Sequence, residues 1–163
     1  MKLLISDANI IIDIAAGGLV QAMFALDYEF AVPDILYADE LEAQHANILN
    51  AGLKRYELPP ELVNSAIALY ENTIVTQVSV NDCLALALAQ AEECPLLTGD
   101  AKLKQLAISM GVTVYGTLWL VEQMLIGKHI SVQNAKIAYQ KMIEDGSRLP
   151  EIEIKKQLKK YGV

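Results

Sequence analysis

Four acidic residues, Asp7, Glu40, Asp82 and Asp100, are the side chains of this chain whose placement suits chemistry. Asp7 ends the apolar run Lys2-Leu3-Leu4-Ile5-Ser6, Asp82 closes Ser79-Val80-Asn81-Asp82, and Asp100 closes Leu97-Thr98-Gly99-Asp100. An aspartate is costly inside a strand because its charge must be desolvated, yet it is at home at a strand's carboxyl end facing a crevice. Gathered there, carboxylates repel. Two of them ~4 Å apart cost about 4 kcal/mol at an effective dielectric near ~20, so a group raises its own pKa values or recruits cations. Oxygen donors with no nearby His or Cys suit the hard ions Mg²⁺ or Mn²⁺. Asn9, Ser79 and Thr98 place short polar side chains beside the carboxylates and are expected to orient them. An ion held this way polarises a phosphoryl oxygen and lowers the pKa of a bound water. The predicted chemistry is metal-dependent phosphodiester hydrolysis, with Asp7, Glu40, Asp82 and Asp100 catalytic and Asp7, Asp82 and Asp100 as metal ligands.

The elements that must position these acids alternate along the chain. The opening run is too short for helical periodicity and reads as a buried strand, with a helix-compatible segment from Ile10 to Ala16 directly behind it. Gly17-Gly18 breaks that helix and Leu19 to Leu26 restarts a short one. Tyr28 to Val32 has strand composition, and Pro33 opens a helix through Ile35, Leu36, Glu40 and Leu41 toward Gly52. Leu58-Pro59-Pro60 is a turn, followed by a helix carrying Leu62, Ala66, Leu69 and Tyr70. The β-branched stretch Thr73 to Val78 predicts the third strand. Ser79-x-x-Asp82 has the form of a helix start, and Leu84 to Ala91 is an alanine-rich helix fit for burial. Pro95 to Thr98 predicts the fourth strand and Val112 to Tyr115 the fifth, each followed by a helix. Strand alternating with helix implies a parallel sheet covered on both faces, a three-layer α/β sandwich. In such a sheet ligands bind outside the carboxyl ends of the strands, which is where Asp7, Asp82 and Asp100 fall. Glu40, about two turns into its helix, is expected to lean over the same crevice.

From His129 onward strand signals stop, and Ser131 to Glu144 and Pro150 to Lys160 read as two helices. The organisation expected is a catalytic domain over 1–127 with an accessory helical arm over 128–163. The net charge of −7 is unevenly spread. From Lys128 onward eight Lys/Arg face four Asp/Glu, so an acidic body carries a basic tail. An acidic body does not grip nucleic acid by charge alone, and a polyanionic substrate then requires a metal to invert the local field. Lys155, Lys156, Lys159 and Lys160 have two readings: complements to their helix dipole, or contacts to RNA phosphates or to a second subunit. No apolar run approaches the ~18 residues of a membrane span, which predicts a cytoplasmic protein. Cys83 and Cys94 lack metal-ligand spacing and read as buried free thiols. Asp13, His45, His129, Tyr115 and Trp119 read as structural.

Together, Asp7-Ala8-Asn9, Val32-Pro33 with Glu40-Leu41, Ser79-Val80-Asn81-Asp82 before an alanine-rich helix, and Leu97-Thr98-Gly99-Asp100 ahead of Gly111-Val112 and Gly116-Thr117-Leu118 resemble the PIN-domain ribonucleases. The resemblance covers roughly residues 1 to 126. It implies a five-stranded parallel sheet, an acidic centre holding Mg²⁺ or Mn²⁺, and cleavage of RNA, with Asp7, Glu40, Asp82 and Asp100 matching the family's four acids. Many small members are toxins of toxin-antitoxin pairs and homodimers, which implies an antitoxin protein as partner. Gly99-Asp100-Ala101 lacks the second acid some members place beside the last Asp, and the arm is longer than the minimal family unit. Two other functions compete: a PIN-like module that binds protein without catalysis, and a Mg²⁺-dependent phosphohydrolase using an aspartyl-phosphate. The latter wants an acid two residues after its nucleophile, where this chain has Asn9.

Overall fold

The computed structural model of the chain describes residues 1–162. Its centre is a sheet of five parallel strands in the order β3-β2-β1-β4-β5, formed by β1 (Lys2–Ser6), β2 (Tyr28–Pro33), β3 (Lys54–Tyr56), β4 (Leu96–Leu97) and β5 (Val114–Tyr115). Leu4, Ile5, Phe30, Ala31, Val32, Leu96 and Leu97 are buried, as expected of a parallel sheet covered on both faces. Strand order reverses between β1 and β4. The chain winds outward one way through β2 and β3 and the other way through β5, which opens a crevice at the carboxyl ends of the two middle strands.

Helices cover the sheet: α1 (Ala8–Ala16) and α2 (Val20–Phe24) after β1, and α3 (Asp34–Leu36), α4 (Glu42–His45) and α5 (Ile48–Ala51) after β2. Then come α6 (Pro60–Asn72), α7 (Val80–Ala91), α8 (Ala101–Ser109) and α9 (Thr117–Ile126). The most enclosed is α7, in which every residue from Cys83 to Ala89 is buried. That explains its run of alanines, since small side chains let a helix sit tight against the sheet and against α6. Gly111, at φ +77°, ends α8 in the left-handed conformation open to a glycine and turns the chain into β5. The arm consists of α10 (Val132–Glu144) and α11 (Glu151–Lys160). Helix α10 packs on α1 and α9, burying Ala135, Ala138, Tyr139 and Met142. Helix α11 buries Ile154, Gln157 and Leu158. Tyr139 donates to Gln157, and Gln157 donates to the Leu118 carbonyl at 2.8 Å, tying the arm to α9.

One strand lies elsewhere than the sequence predicts. The third strand is Lys54–Tyr56, not Thr73–Val78, which makes no ladder. Both neighbours of β1 are already taken, by β2 and β4, and the outer position beside β2 goes to the segment nearest in sequence. The adjacent exposed cations Lys54 and Arg55 suit an edge, and the Tyr56 hydroxyl donates to Glu29 across to β2 at 3.2 Å. In the other segment Ile74 is 96 % exposed and Gln77 sits at φ +70°, so β-branched composition there meets no partner strand. Of the cysteines, Cys83 is buried and Cys94 half-buried, both free, with burial pushing each thiol up to about 11. Among the described residues, no helix is long and apolar enough to cross a membrane.

Candidate acidic active site

Three of the four acids are placed by helix starts. Asp7 follows β1 directly and caps α1, its Oδ1 accepting from the Ile10 amide at 3.0 Å. Its backbone amide stays in the sheet, donating to the Leu97 carbonyl at 2.9 Å, so the side chain is held at the crevice between β1 and β4. Thr98, the residue after β4, donates its hydroxyl to Asp7 Oδ2 and accepts from the Asp100 amide at 3.1 Å. One threonine therefore positions two of the four acids. Asp100 caps α8, its Oδ1 accepting from the Lys102 and Leu103 amides at 2.8 and 3.0 Å. Asp82 forms the reciprocal capping box with Ser79: its amide donates to the Ser79 hydroxyl at 3.0 Å and its Oδ2 accepts from the Ser79 amide at 2.8 Å.

Glu40 arrives by a different device. The helical turn Tyr37–Leu41 between α3 and α4 is π-helical, an extra-residue turn that re-aims side chains and is frequent at functional sites. It presents Asp39 and Glu40 together to Asn81, whose amide donates to Glu40 Oε2 at 3.1 Å and to Asp39 Oδ2 at 3.3 Å. Asn81 was not among the orienting residues expected from the sequence. Its position one residue before Asp82 is the available signal, but a contact spanning forty residues has none. Asn9, expected to orient the carboxylates, is exposed on the first turn of α1 and makes no hydrogen bond to them among the described residues.

The electrostatics show the acids as one group. Asp7 is 4 % exposed, and its pKa is pushed up to about 7, chiefly by burial and further by the charges of Asp82 and Asp100. Asp82 is raised by burial and by Asp100, and Glu40 by burial and by Asp82. Three helix amino ends meet at the cluster, and their unpaired amides and dipoles offset part of the repulsion. What the acids do not form is a finished cage. Among the described residues no three His, Cys, Asp or Glu side chains stand in a geometry that holds a metal ion. Asp7, Asp82 and Asp100 each commit one oxygen to backbone amides of their own helix or its cap, and the second oxygens of Asp82 and Asp100 accept no hydrogen bond among the described residues. The donor set nonetheless fits a hard divalent cation, being all oxygen and crowded with like charge.

Comparison with known proteins settles the family. The family model DUF3368, described as a PIN domain, matches residues 3–163. This chain belongs to the PIN-domain family. The match runs through both helices of the arm, so α10 and α11 lie within the family's own extent. Among solved structures the chain is similar to a PilT N-terminus domain protein from the hyperthermophilic archaeon Sulfolobus solfataricus P2, with a TM-score of 0.53 at 15 % identity. That likeness covers 77 % of this chain and 94 % of the other and establishes a shared PIN-like fold. No curated protein matches the chain significantly.

Proposed function

We propose that this PIN-domain protein is a metal-dependent endoribonuclease that hydrolyses RNA phosphodiester bonds. What supports the reading is that Asp7 and Asp100 follow β1 and β4, the strands flanking the reversal point of the sheet, and that Asp7, Asp82 and Asp100 are coupled to one another through their charges. Mg²⁺ or Mn²⁺ would be held by these three acids, and supplies Lewis acidity toward a phosphoryl oxygen and an acidified water. The chain's own residues do the rest. Thr98 fixes the Asp7 carboxylate and, through the Asp100 amide, the start of α8. Ser79 holds Asp82, and Asn81 steers Glu40 so that its other oxygen is left to orient or deprotonate a water at the rim.

In this reading the protein acts in the cytoplasm as a toxin whose partner is an antitoxin protein, and it pairs with a second copy of itself. A small DNA-binding protein encoded in the adjacent reading frame would support the toxin role, and its absence there would leave a stand-alone nuclease. The catalytic claim is tested by incubating the purified chain with mixed RNA, with and without Mn²⁺, beside Asp7→Asn. Cleavage that needs the ion and vanishes in the variant is expected, and Mn²⁺-dependent cleavage by Asp7→Asn sinks the assignment. A module that binds protein without catalysis is the reading favoured by the unfinished cage. No turnover at any Mn²⁺ concentration selects it.

A further inference from the structure

A cleft of about 600 Å³ opens beside the acids, along the carboxyl ends of β4 and β5. Asn9, Thr98 and Asp100 form its inner end, so it is continuous with the acidic centre. Its outer wall is the loop 145–150 between α10 and α11, which the arm carries over the sheet edge. That wall is anchored: Ser147 donates to one oxygen of the half-buried Asp13 and Thr117 to the other, the latter at 3.4 Å. Two cations line the cleft, Lys104 on α8 and Arg148 on the loop, and among the described residues neither has an ion-pair partner. On α11, Lys160 pairs with Glu122 at 2.8 Å and Lys156 with Glu153 at 3.6 Å, while Lys155 and Lys159, likewise without an ion-pair partner among the described residues, do not line the cleft. Tyr115 and Trp119, which also line the cleft, are half-buried and stacked face to face at 4.1 Å, so they are not purely core.

We propose that this cleft is the subsite for single-stranded RNA adjoining the scissile phosphate, with Arg148 and Lys104 taking backbone phosphates and the Tyr115–Trp119 pair packing against a base. The proposal rests on the ribonuclease reading and names the substrate-binding half of that site. A polyanion cannot approach four carboxylates on an acidic body without cations along its path, and these two flank the path to Asp100. Free cations beside aromatic surface are how single strands are held without a sequence code. The volume falls in the ~300–1,000 Å³ range of small-ligand clefts, which leaves room for an unpaired nucleotide.

The test measures binding of a fluorescein-labelled 12-nucleotide single-stranded RNA to the full chain in the Asp7→Asn background, with Mg²⁺ present and salt varied. Arg148→Ala and Lys104→Ala are each expected to weaken binding about five- to tenfold and to flatten the slope of log K against log salt by ~0.7. Arg148→Lys should restore the slope, and Lys136→Ala, outside the cleft, should match the parent. Affinity and slope unchanged in both cleft variants overturn the subsite, while Mn²⁺-dependent cleavage by the unmodified chain would leave the nuclease reading standing. Loss of RNA binding in the cleft variants with no cleavage by the unmodified chain does the reverse. Displacement by poly-glutamate, with RNA binding insensitive to the substitutions, reassigns the cleft to an acidic protein segment and also overturns the proposal.

Discussion

Asp7 and Asp13 stand near opposite ends of the same short helix, α1, and each is held by two hydrogen-bond donors. Burial raises both, Asp7 to about 7. Their surroundings separate them. Asp7 faces the sheet reversal in the company of Asp82 and Asp100, whereas Asp13 receives the hydroxyls of Thr117 and Ser147, with Asp145 the one carboxylate whose charge bears on it. A desolvated carboxylate is thus a fastener where hydroxyls answer it, and a candidate ion ligand where other carboxylates crowd it.

The largest effect that sharpens this contrast is on cleavage. Asp7→Asn should reduce Mn²⁺-dependent RNA cleavage by about a thousandfold or more, on the scale of removing one group that stabilises developing charge. Asp13→Asn should cost less than about tenfold and appear instead as faster hydrogen exchange in the 145–150 loop. Equal losses in the two variants, measured by initial rates at saturating metal, would erase the distinction.

The second effect is on stability against pH. The folded chain keeps a proton on Asp7 up to about pH 7, whereas the ordinary value is 3.8, so between these limits the folded state binds the extra proton. Without added metal the contribution of Asp7 to stability is therefore fully present below about pH 4 and is lost as pH rises toward about 7, by up to ~4 kcal/mol. Thermal melts should show a lower Tm at pH 8 than at pH 5, with millimolar Mg²⁺ or Mn²⁺ raising the value at pH 8. A melt at pH 8 that is blind to millimolar metal would show that Asp7, like Asp13, is only a fastener.

Smaller still, Thr98→Val removes the hydroxyl shared by Asp7 and Asp100 and should weaken metal-dependent activity ~10- to 100-fold, the usual effect of removing a group that orients a ligand. Metal titrations of activity measure this directly. Ser147→Ala removes one donor to Asp13 and should lower stability by about 1 kcal/mol in urea titration, leaving metal dependence as it was.

How much of this was legible depends on range along the chain. The helix starts at Asp7, Ser79 and Asp100 are local motifs, and the structure has caps at all three. The alternation that predicted a parallel sheet rests on runs of only a few apolar residues, and it held for four of the five strands: β1, β2 and β4 carry fully buried residues, and β5 is half-buried at the far edge. The edge strand Lys54–Tyr56 escaped because an edge carries charge and so lacks the apolar signature. The failed strand at Thr73–Val78 shows that β-branched composition does not suffice without a vacant neighbour in the sheet. Asn81 across to Glu40, and Ser147 across to Asp13, were invisible for the same reason: each joins segments whose separation in sequence carries no pattern.

By itself the sequence determined which residues are acids at helix starts and which runs are apolar enough to be strands, because capping and burial act within a few residues. Tertiary structure alone decided that the charges of those acids bear on one another, that the arm walls a cleft beside Asp100, and that Lys104 and Arg148 line it without an ion-pair partner among the described residues. Strand order and the docking of α10 and α11 set distances between segments, and no local preference encodes a distance across a hundred residues.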